Sequence, residues 1–407
     1  MSNRLSNKQA AIQIIRSLHK AGFEALLAGG CVRDMLLGNK PKDYDVVTSA
    51  TPLEICKIFR RTIKVGAKFG VIIVLVDREQ VEVATFRAEA GYSDGRRPDK
   101  VSFTSAKEDS LRRDFTINGM FYDPLKKKVI DYVGGREDLK KKIIRTIGKP
   151  QERFSEDYLR MLRAVRFAAQ LDFEIEKNTL NAVKKYSGNI TKISGERIAM
   201  ELESLSAAVK RARGVKLLLS TGLAERIFAA FKNKSTGEFA KKIFEILPKE
   251  ITFELAAAAI FAGCATDEAM ENLEILKLSR NQLKHINFLL VKRDYLLGEL
   301  TLAQLKMIVA EPYFEDLCLL QKAIQKAKGR SMSAVLAVRK RVKELAGKEL
   351  KPKPLLNGHE IIGLGVKPGP QVGIVSKELY VRQLCEDVTV RQEAVNWVKD
   401  WLKRHNG

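Results

Sequence analysis

Asp43 and Asp45 stand one residue apart in the run KDYDVV, inside an apolar stretch that reads as a strand. Residues two apart in a strand project from the same face, so the two carboxylates point together. Held that close they repel, and burial raises the cost. A divalent cation removes the penalty, and an oxygen-only donor set suits magnesium, which keeps several waters and is commonly completed by substrate phosphates. A solvent-exposed strand end is the alternative that the pair alone leaves open. Just upstream, Gly29 and Gly30 fall where a strand hands over to a helix, and glycines there let backbone N–H groups approach phosphate oxygens. Arg33, one turn into that helix, adds a phosphate-binding fork. Glu82 alternates with Val81 and Val83 in QVEVATF, so it faces away from them if both are buried, and a neighbouring strand brings it near the aspartates. Three carboxylates beside a glycine phosphate clamp describe a two-metal nucleotidyl-transfer site.

The elements that must position these groups read from the chain as follows. Residues 5–22 form a helix, 25–28 a short strand, 32–37 a helix stopped by Gly38, and 43–47 a strand. Thr51-Pro52 starts another helix, with Thr as N-cap. Residues 70–76 and 80–86 flank the short connection Asp77-Arg78-Glu79, a hairpin signal. GYSDGRRPD (91–99) reads as a mobile loop with Gly91 and Gly95 as hinges and Arg96-Arg97 able to meet phosphates. From about 155 to 350 the pattern is helical, KPKP (351–354) breaks it, GVKPGPQVG (365–373) reads as a turn entering the final helix, and that helix runs around 393–403.

The chain has 407 residues, 45% hydrophobic and 30% charged, which fits a globular protein of several domains. Its formal charge of +23 points to a polyanionic partner; a merely solvated, lysine-rich surface is the alternative. No apolar run reaches the roughly 20 residues a membrane span needs. The N-terminus has no signal-peptide pattern, and five scattered cysteines without a CxxC argue for reduced thiols, so the expected location is cytoplasmic. The four histidines are isolated, which leaves no HD pair for a phosphohydrolase.

GGCVRDMLLGNKPKDYDVVTSATP (29–52) resembles the signature of the class II tRNA nucleotidyltransferases, the CCA-adding enzymes, and their bacterial poly(A) polymerase relatives in the DNA polymerase β superfamily. RRDFTINGMFYD (112–123) and EDYLRMLRAVRFA (156–168) are similar to two further motifs of that family. The resemblance implies an α/β head with a mixed sheet (1–145), a nucleotide-selecting helical neck (146–205), and an elongated all-α remainder made of body (206–350) and tail (351–407). It implies magnesium at Asp43 and Asp45, Arg113 on the triphosphate, Asn118 ordering the site, ATP and CTP as substrates, and tRNA along the basic helices. No membrane and no protein partner is expected. Where the family has alanine this chain has Gly119, which implies a less rigid second motif.

The resemblance gives base selection to the third motif, and hydrogen-bond logic supports it independently. On one helix, Asp157 and Arg160 would share a face. A carboxylate only accepts and a guanidinium only donates. Cytosine and adenine present an amino donor beside a ring-nitrogen acceptor, whereas uracil and guanine present the reverse. One Asp-Arg pair therefore matches C and A without a template; an ordinary surface ion pair is the alternative. The family pattern places Arg163 and Arg166 at the nucleotide as well.

Gly70 at the head of its strand favours CCA addition over poly(A) synthesis, and the full-length loop after Glu82 disfavours CC-only addition. An A-adding enzyme remains open. Outside the family, a DxD glycosyltransferase would leave the Asp-Arg motif and the basicity unexplained, and a non-catalytic RNA-binding protein would not need three carboxylates.

Overall fold

The computed structural model describes residues 5–90 and 100–405, so the expectations for Gly91, Gly95, Arg96 and Arg97 fall outside the described residues. The chain divides into two compact units, one comprising Met1–Lys232 with Asn272–Lys277 and the other comprising Asn233–Glu271 with Leu278–Gly407.

The first unit opens with helix α1 (Asn7–Lys20), started by a capping box in which Ser6 and Gln9 exchange side-chain and backbone bonds. Its Ala10, Ala11, Ile14, Ile15 and Leu18 are buried at the three-four spacing of one helical face. There follow β1 (Ala25–Ala28), α2 (Gly30–Leu36), β2 (Asp45–Thr48), α3 (Pro52–Ile58), β3 (Thr62–Gly66), β4 (Val71–Val76) and β5 (Glu79–Thr85). The hairpin between β4 and β5 turns on Asp77, which takes a left-handed backbone at φ 56°. A separate two-stranded ribbon pairs β6 (Arg87–Ala90) with β7 (Lys100–Phe103), and α4 (Ala106–Leu111) precedes β8 (Phe121–Asp123) and β9 (Lys128–Ile130).

Seven strands form one mixed sheet in the order β3-β4-β5-β2-β1-β8-β9. β1 lies antiparallel to β2 and β8, while β2 runs parallel to β5 in the register Val46↔Val83. All four β1 residues are buried, as befits a central strand covered on both faces. One side packs Leu26, Ala28 and Val47 with Phe86, Ala106 and Phe121; α1 lies against β1, β2 and β5.

After the sheet come α5 (Gly135–Lys141), β10 (Ile143–Ile144), α6 (Pro150–Glu156), α7 (Leu159–Leu171), β11 (Glu174–Ile175), α8 (Lys177–Tyr186) and α9 (Gly195–Ser206). α7 packs on α9, and Gly195 starts α9 so close to the Ile275 carbonyl that a Cβ would sit 1.7 Å from its oxygen. The second unit is helical from Lys234–Ile246 to Arg391–His405. GVKPGPQVG leads into the helix Pro370–Leu384, one helix earlier than its sequence suggested, because Pro370 fits the first helical turn. That helix and the last one close a small core around Val375, Leu379 and Trp401. Among the described residues no helix is long and apolar enough to cross a membrane.

Candidate active site

Gly29 holds φ 73° and ψ −132°, a backbone region closed to side chains, where β1 passes into α2. A Cβ there would lie 3.1 Å from an Arg113 guanidinium nitrogen, so the glycine clears the space that Arg113 fills. Gly29 and Gly30 form one wall of a cavity of about 600 Å³. Its floor carries Asp43 and Asp45, which alternate with buried Tyr44 and are both exposed into it. β2 begins only at Asp45, so Asp43 precedes the strand, yet the alternation places both carboxylates on one side.

Glu82 does not line the cavity. It is exposed on β5, on the side opposite to buried Val81 and Val83, and the β2–β5 register sets it beside Asp45. Although Asp45 opens into the cavity, the protein packed around it strips away much of its solvent; that desolvation, followed by the charges of Glu82 and Asp43, pushes its pKa up to about 6, and nearby Arg113 opposes them. Cys31, its thiol donating to the Ala28 carbonyl at 3.2 Å, lies behind Asp45 and is itself pushed up to about 11 by burial and by that carboxylate. Among the described residues no three His, Cys, Asp or Glu side chains close into a ready cation cage. The acidic oxygens at Asp43 and Asp45 carry negative charge in excess of what the arginine nearby offsets, and that donor set fits a hard divalent cation completed by phosphate and water.

The arginines are held by carboxylates that the sequence did not single out. Buried Asp109 grips both Arg112 (2.8 Å) and Arg113 (2.9 Å), and burial, which alone would raise its pKa, is outweighed by the two guanidinium groups. Arg33 is buried and donates to the Asn118 side-chain oxygen at 2.8 Å. Asn118 in turn donates to Asp114 at 3.1 Å, and the other Asp114 oxygen accepts from Arg163 at 2.6 Å. Burial works to raise the Asp114 pKa, but Arg163 and Asn118 hold it down to about 2. Arg33, Arg163 and Arg166 also surround one ring, Phe167, at 5.2, 5.3 and 4.2 Å. Such contacts spread the positive charge over a π face.

The third motif departs from expectation. Asp157 and Arg160 do not share one helix: Asp157 ends α6 with an extended backbone (φ −152°, ψ 104°), and α7 starts two residues later. The Asp157 side chain accepts the Leu159 N–H at 3.0 Å, which satisfies an orphan donor of the new helix and explains the break. Arg197 on α9 holds Asp157 at two points, 3.2 and 2.6 Å. Arg160 pairs with Glu156 at 2.6 Å and donates to the Arg112 and Arg153 carbonyls. Asp157, Arg160, Arg163 and Arg166 all line the cavity together with Arg33, Arg113 and Asn118.

Sequence reasoning missed Asp109, Asp114, Glu156, Arg197 and Glu201, the counter-charges. Asp114 lies inside a quoted motif, Glu201 on α9 pairs with Arg163 at 3.5 Å and Arg166 at 3.2 Å, and Arg197 reaches Asp157 across 40 residues, a pairing no local spacing reveals. Gly119 also has a different meaning from the one expected. A Cβ there would meet Val133 at 2.7 Å and Ile147 at 2.9 Å, so larger neighbours occupy the space of an alanine methyl and the motif is packed tight.

A mixed sheet presenting paired carboxylates beside a glycine turn, followed by an arginine-lined helical segment, defines a nucleotidyltransferase. Residues 25–145 match the Poly A polymerase head domain, and residues 172–234 match the probable RNA and SrmB-binding site of polymerase A. The CCA-adding enzyme of Streptococcus gordonii is 35% identical over 381 residues, covering 92% of each chain. That of Pediococcus pentosaceus is 48% identical over 223 residues, and this match spans 54% of the present chain and 56% of the relative. The chain thus aligns with little more than half the length of the latter. The crystal structure of the Bacillus stearothermophilus CCA-adding enzyme in complex with CTP superposes with a TM-score of 0.82 at 29% identity over 99% of both chains. This chain belongs to the CCA-adding enzyme family.

Proposed function

We propose that this protein adds CCA to the 3′ end of tRNA from CTP and ATP, without a template, by magnesium-dependent nucleotidyl transfer with release of pyrophosphate. The observation that carries the reading is the cavity itself, in which paired carboxylates and the separately held side chains of Asp157 and Arg160 share one enclosure. Gly29 and Gly30 bring backbone to the phosphates, and Arg33 and Arg113, preset by Asn118 and Asp109, grip the triphosphate. Asp157 accepts the exocyclic amine of C or A while Arg160 donates to the ring nitrogen; U and G would set acceptor against Asp157 and donor against Arg160. Arg163 and Arg166 flank the nucleotide.

Asp43 and Asp45 would hold magnesium, with Glu82 as the third carboxylate tuning Asp45. Bound there, the cation lowers the pKa of the attacking hydroxyl and offsets triphosphate charge. The 3′ oxygen of the RNA bonds to the α-phosphorus, the α–β bridging bond breaks, and its electrons leave with pyrophosphate. Residues 1–145 act as catalytic head and 146–205 as selecting neck, while the basic helices of 206–350 and 351–407 carry tRNA through phosphate contacts. A cytoplasmic location accords with that substrate.

Primer extension with tRNA ending at the discriminator base, tRNA ending in CC, and unstructured RNA tests the reading. Complete CCA on the first substrate, stopping there, is the expected product. One A on tRNA-CC alone makes the protein an A-adding enzyme, long A tracts make it a poly(A) polymerase, and no metal-dependent incorporation overturns the catalytic reading.

A further inference from the structure

A second cavity, of about 950 Å³, adjoins the turn that leads into the catalytic carboxylates. Tyr44 lines it, whereas Asp43 and Asp45 on either side of Tyr44 line the catalytic cavity; Lys42 alone borders both. The charges of the two enclosures differ. The catalytic cavity sets Asp34, Asp43, Asp45, Asp114 and Asp157 against its arginines. The second has Lys8, Lys40 and Lys42 on its wall and no carboxylate at all.

All three lysines are exposed, and none pairs with a carboxylate among the described residues. Beneath them the lining is apolar and aromatic: Val32 is fully buried, Tyr44 is 8% exposed, and Met35 and Tyr122 are half-buried. Asn7, in the first turn of α1, adds a buried side-chain oxygen with no hydrogen-bond partner, and the positive end of that 14-residue helix lies at the same wall. A cationic rim over an aromatic floor is the complement of a phosphate joined to a flat ring. Three uncompensated ammonium groups around a concave surface repel one another, and an anion relieves that repulsion.

We propose that this cavity is a second nucleotide site, distinct from the catalytic one, that binds a nucleoside phosphate with its ring on the tyrosine floor and its phosphate on Lys8, Lys40 and Lys42. The ligand is either a free nucleoside triphosphate or a nucleotide of an RNA strand. Its occupancy bears on the 38–42 turn and so on the backbone that delivers Asp43 and Asp45.

The test uses the full chain and two variants, Lys8→Ala/Lys40→Ala, which removes rim charge, and Leu36→Trp, which fills the cavity from a helix end already 40% exposed. Neither touches a catalytic-cavity residue, and thermal melting verifies folding. Equilibrium dialysis with labelled ATP in EDTA and filter binding of a short unstructured RNA are the readouts. A second equivalent of ATP on the wild type that weakens about tenfold in both variants identifies a free-nucleotide site. Unchanged ATP stoichiometry with RNA affinity about tenfold weaker identifies an RNA-strand site. Unchanged ATP and RNA binding in both folded variants overturns the proposal. These readouts need no nucleotide transfer, so failure of the CCA-adding reaction leaves them standing.

Discussion

The side chains of Asp157 and Arg160 face the same cavity without bonding to each other: Arg197 holds the carboxylate at 2.6 Å, and Glu156 holds the guanidinium at 2.6 Å. A mutual ion pair would consume the acceptor and the donor that a base edge needs. Separate partners leave each group aimed and available, with the side-chain entropy already spent before the nucleotide arrives. On the proposed reading, rigid protein groups take the place of a template strand.

On that reading Arg197 is a positioning residue for base choice. Arg197→Ala frees Asp157 to swing toward Arg160, and the loss of a two-point charged contact costs roughly 1.5–3 kcal/mol. The expected outcome is a fall of about tenfold to a hundredfold in discrimination against UTP and GTP, read as the ratio of kcat/KM values. Arg197→Lys keeps the charge but not the fork, and restores discrimination only in part. A general loss of rate with an unchanged C-to-U ratio would show that Arg197 merely supports the fold.

Asp114 links Asn118, and through it Arg33, to Arg163 on α7, because Asn118 and Arg163 both bond to it. Its folded pKa of about 2 lies below the ordinary carboxylate value, so the unfolded chain binds the proton more tightly. The stabilisation is present above about pH 4 and is lost as pH falls toward 2, a contribution of roughly 2 kcal/mol. Asp114→Ala leaves Arg163 uncompensated and is expected to lower stability by about 3 kcal/mol, measured by urea denaturation at pH 7. The difference from wild type should shrink on acidification; a pH-independent difference would remove the ionic explanation.

The motifs were legible because each packs its chemistry into a few consecutive residues. The alternation of Asp43, Tyr44 and Asp45, the glycine turn at Gly29, and the pairing of Glu82 opposite Val81 and Val83 all follow from period-two geometry and local backbone rules. The break at Asp157 was not legible. EDYLRMLRAVRFA has unbroken helical periodicity, and only a tertiary partner, Arg197, combined with capping of Leu159 makes the interruption favourable. The counter-charges were hidden for the same reason, since Asp114 and Arg163 meet across 49 residues. Gly119 shows the converse failure: an apparent loss of rigidity is compensated by Val133 and Ile147, which sequence spacing cannot place beside it.

That compensation makes a sharp prediction for Gly119→Ala. The added methyl would press on Val133 and Ile147, and overpacking of a tight site costs about 1–3 kcal/mol. Combining it with Val133→Ala should recover most of the loss, giving a coupling of about 1 kcal/mol or more in a double-mutant cycle. Additive destabilisation would place the strain on Ile147 rather than on Val133, because the Gly119 backbone at φ −89° is open to any residue.

Asp45 gives the pH signature of the catalytic floor. Its folded pKa, near 6, lies above the ordinary value because burial and the charges of Glu82 and Asp43 disfavour the carboxylate. The native state therefore binds this proton more tightly than the unfolded chain, and the Asp45 contribution to the stability of metal-free protein grows as pH falls from about 6 to 4. If magnesium is held at Asp45 as proposed, it competes with that proton, and its stabilising effect and its support of catalysis should both fade below about pH 6. Asp45→Asn removes the repulsion permanently: it is expected to raise the melting temperature of metal-free protein at pH 8, to abolish the magnesium-dependent rise, and to eliminate transfer while RNA binding survives. Melting curves at pH 5, 6.5 and 8 with magnesium or EDTA decide the matter. If magnesium stabilises wild type and Asp45→Asn equally at pH 8, the cation is not held at Asp45.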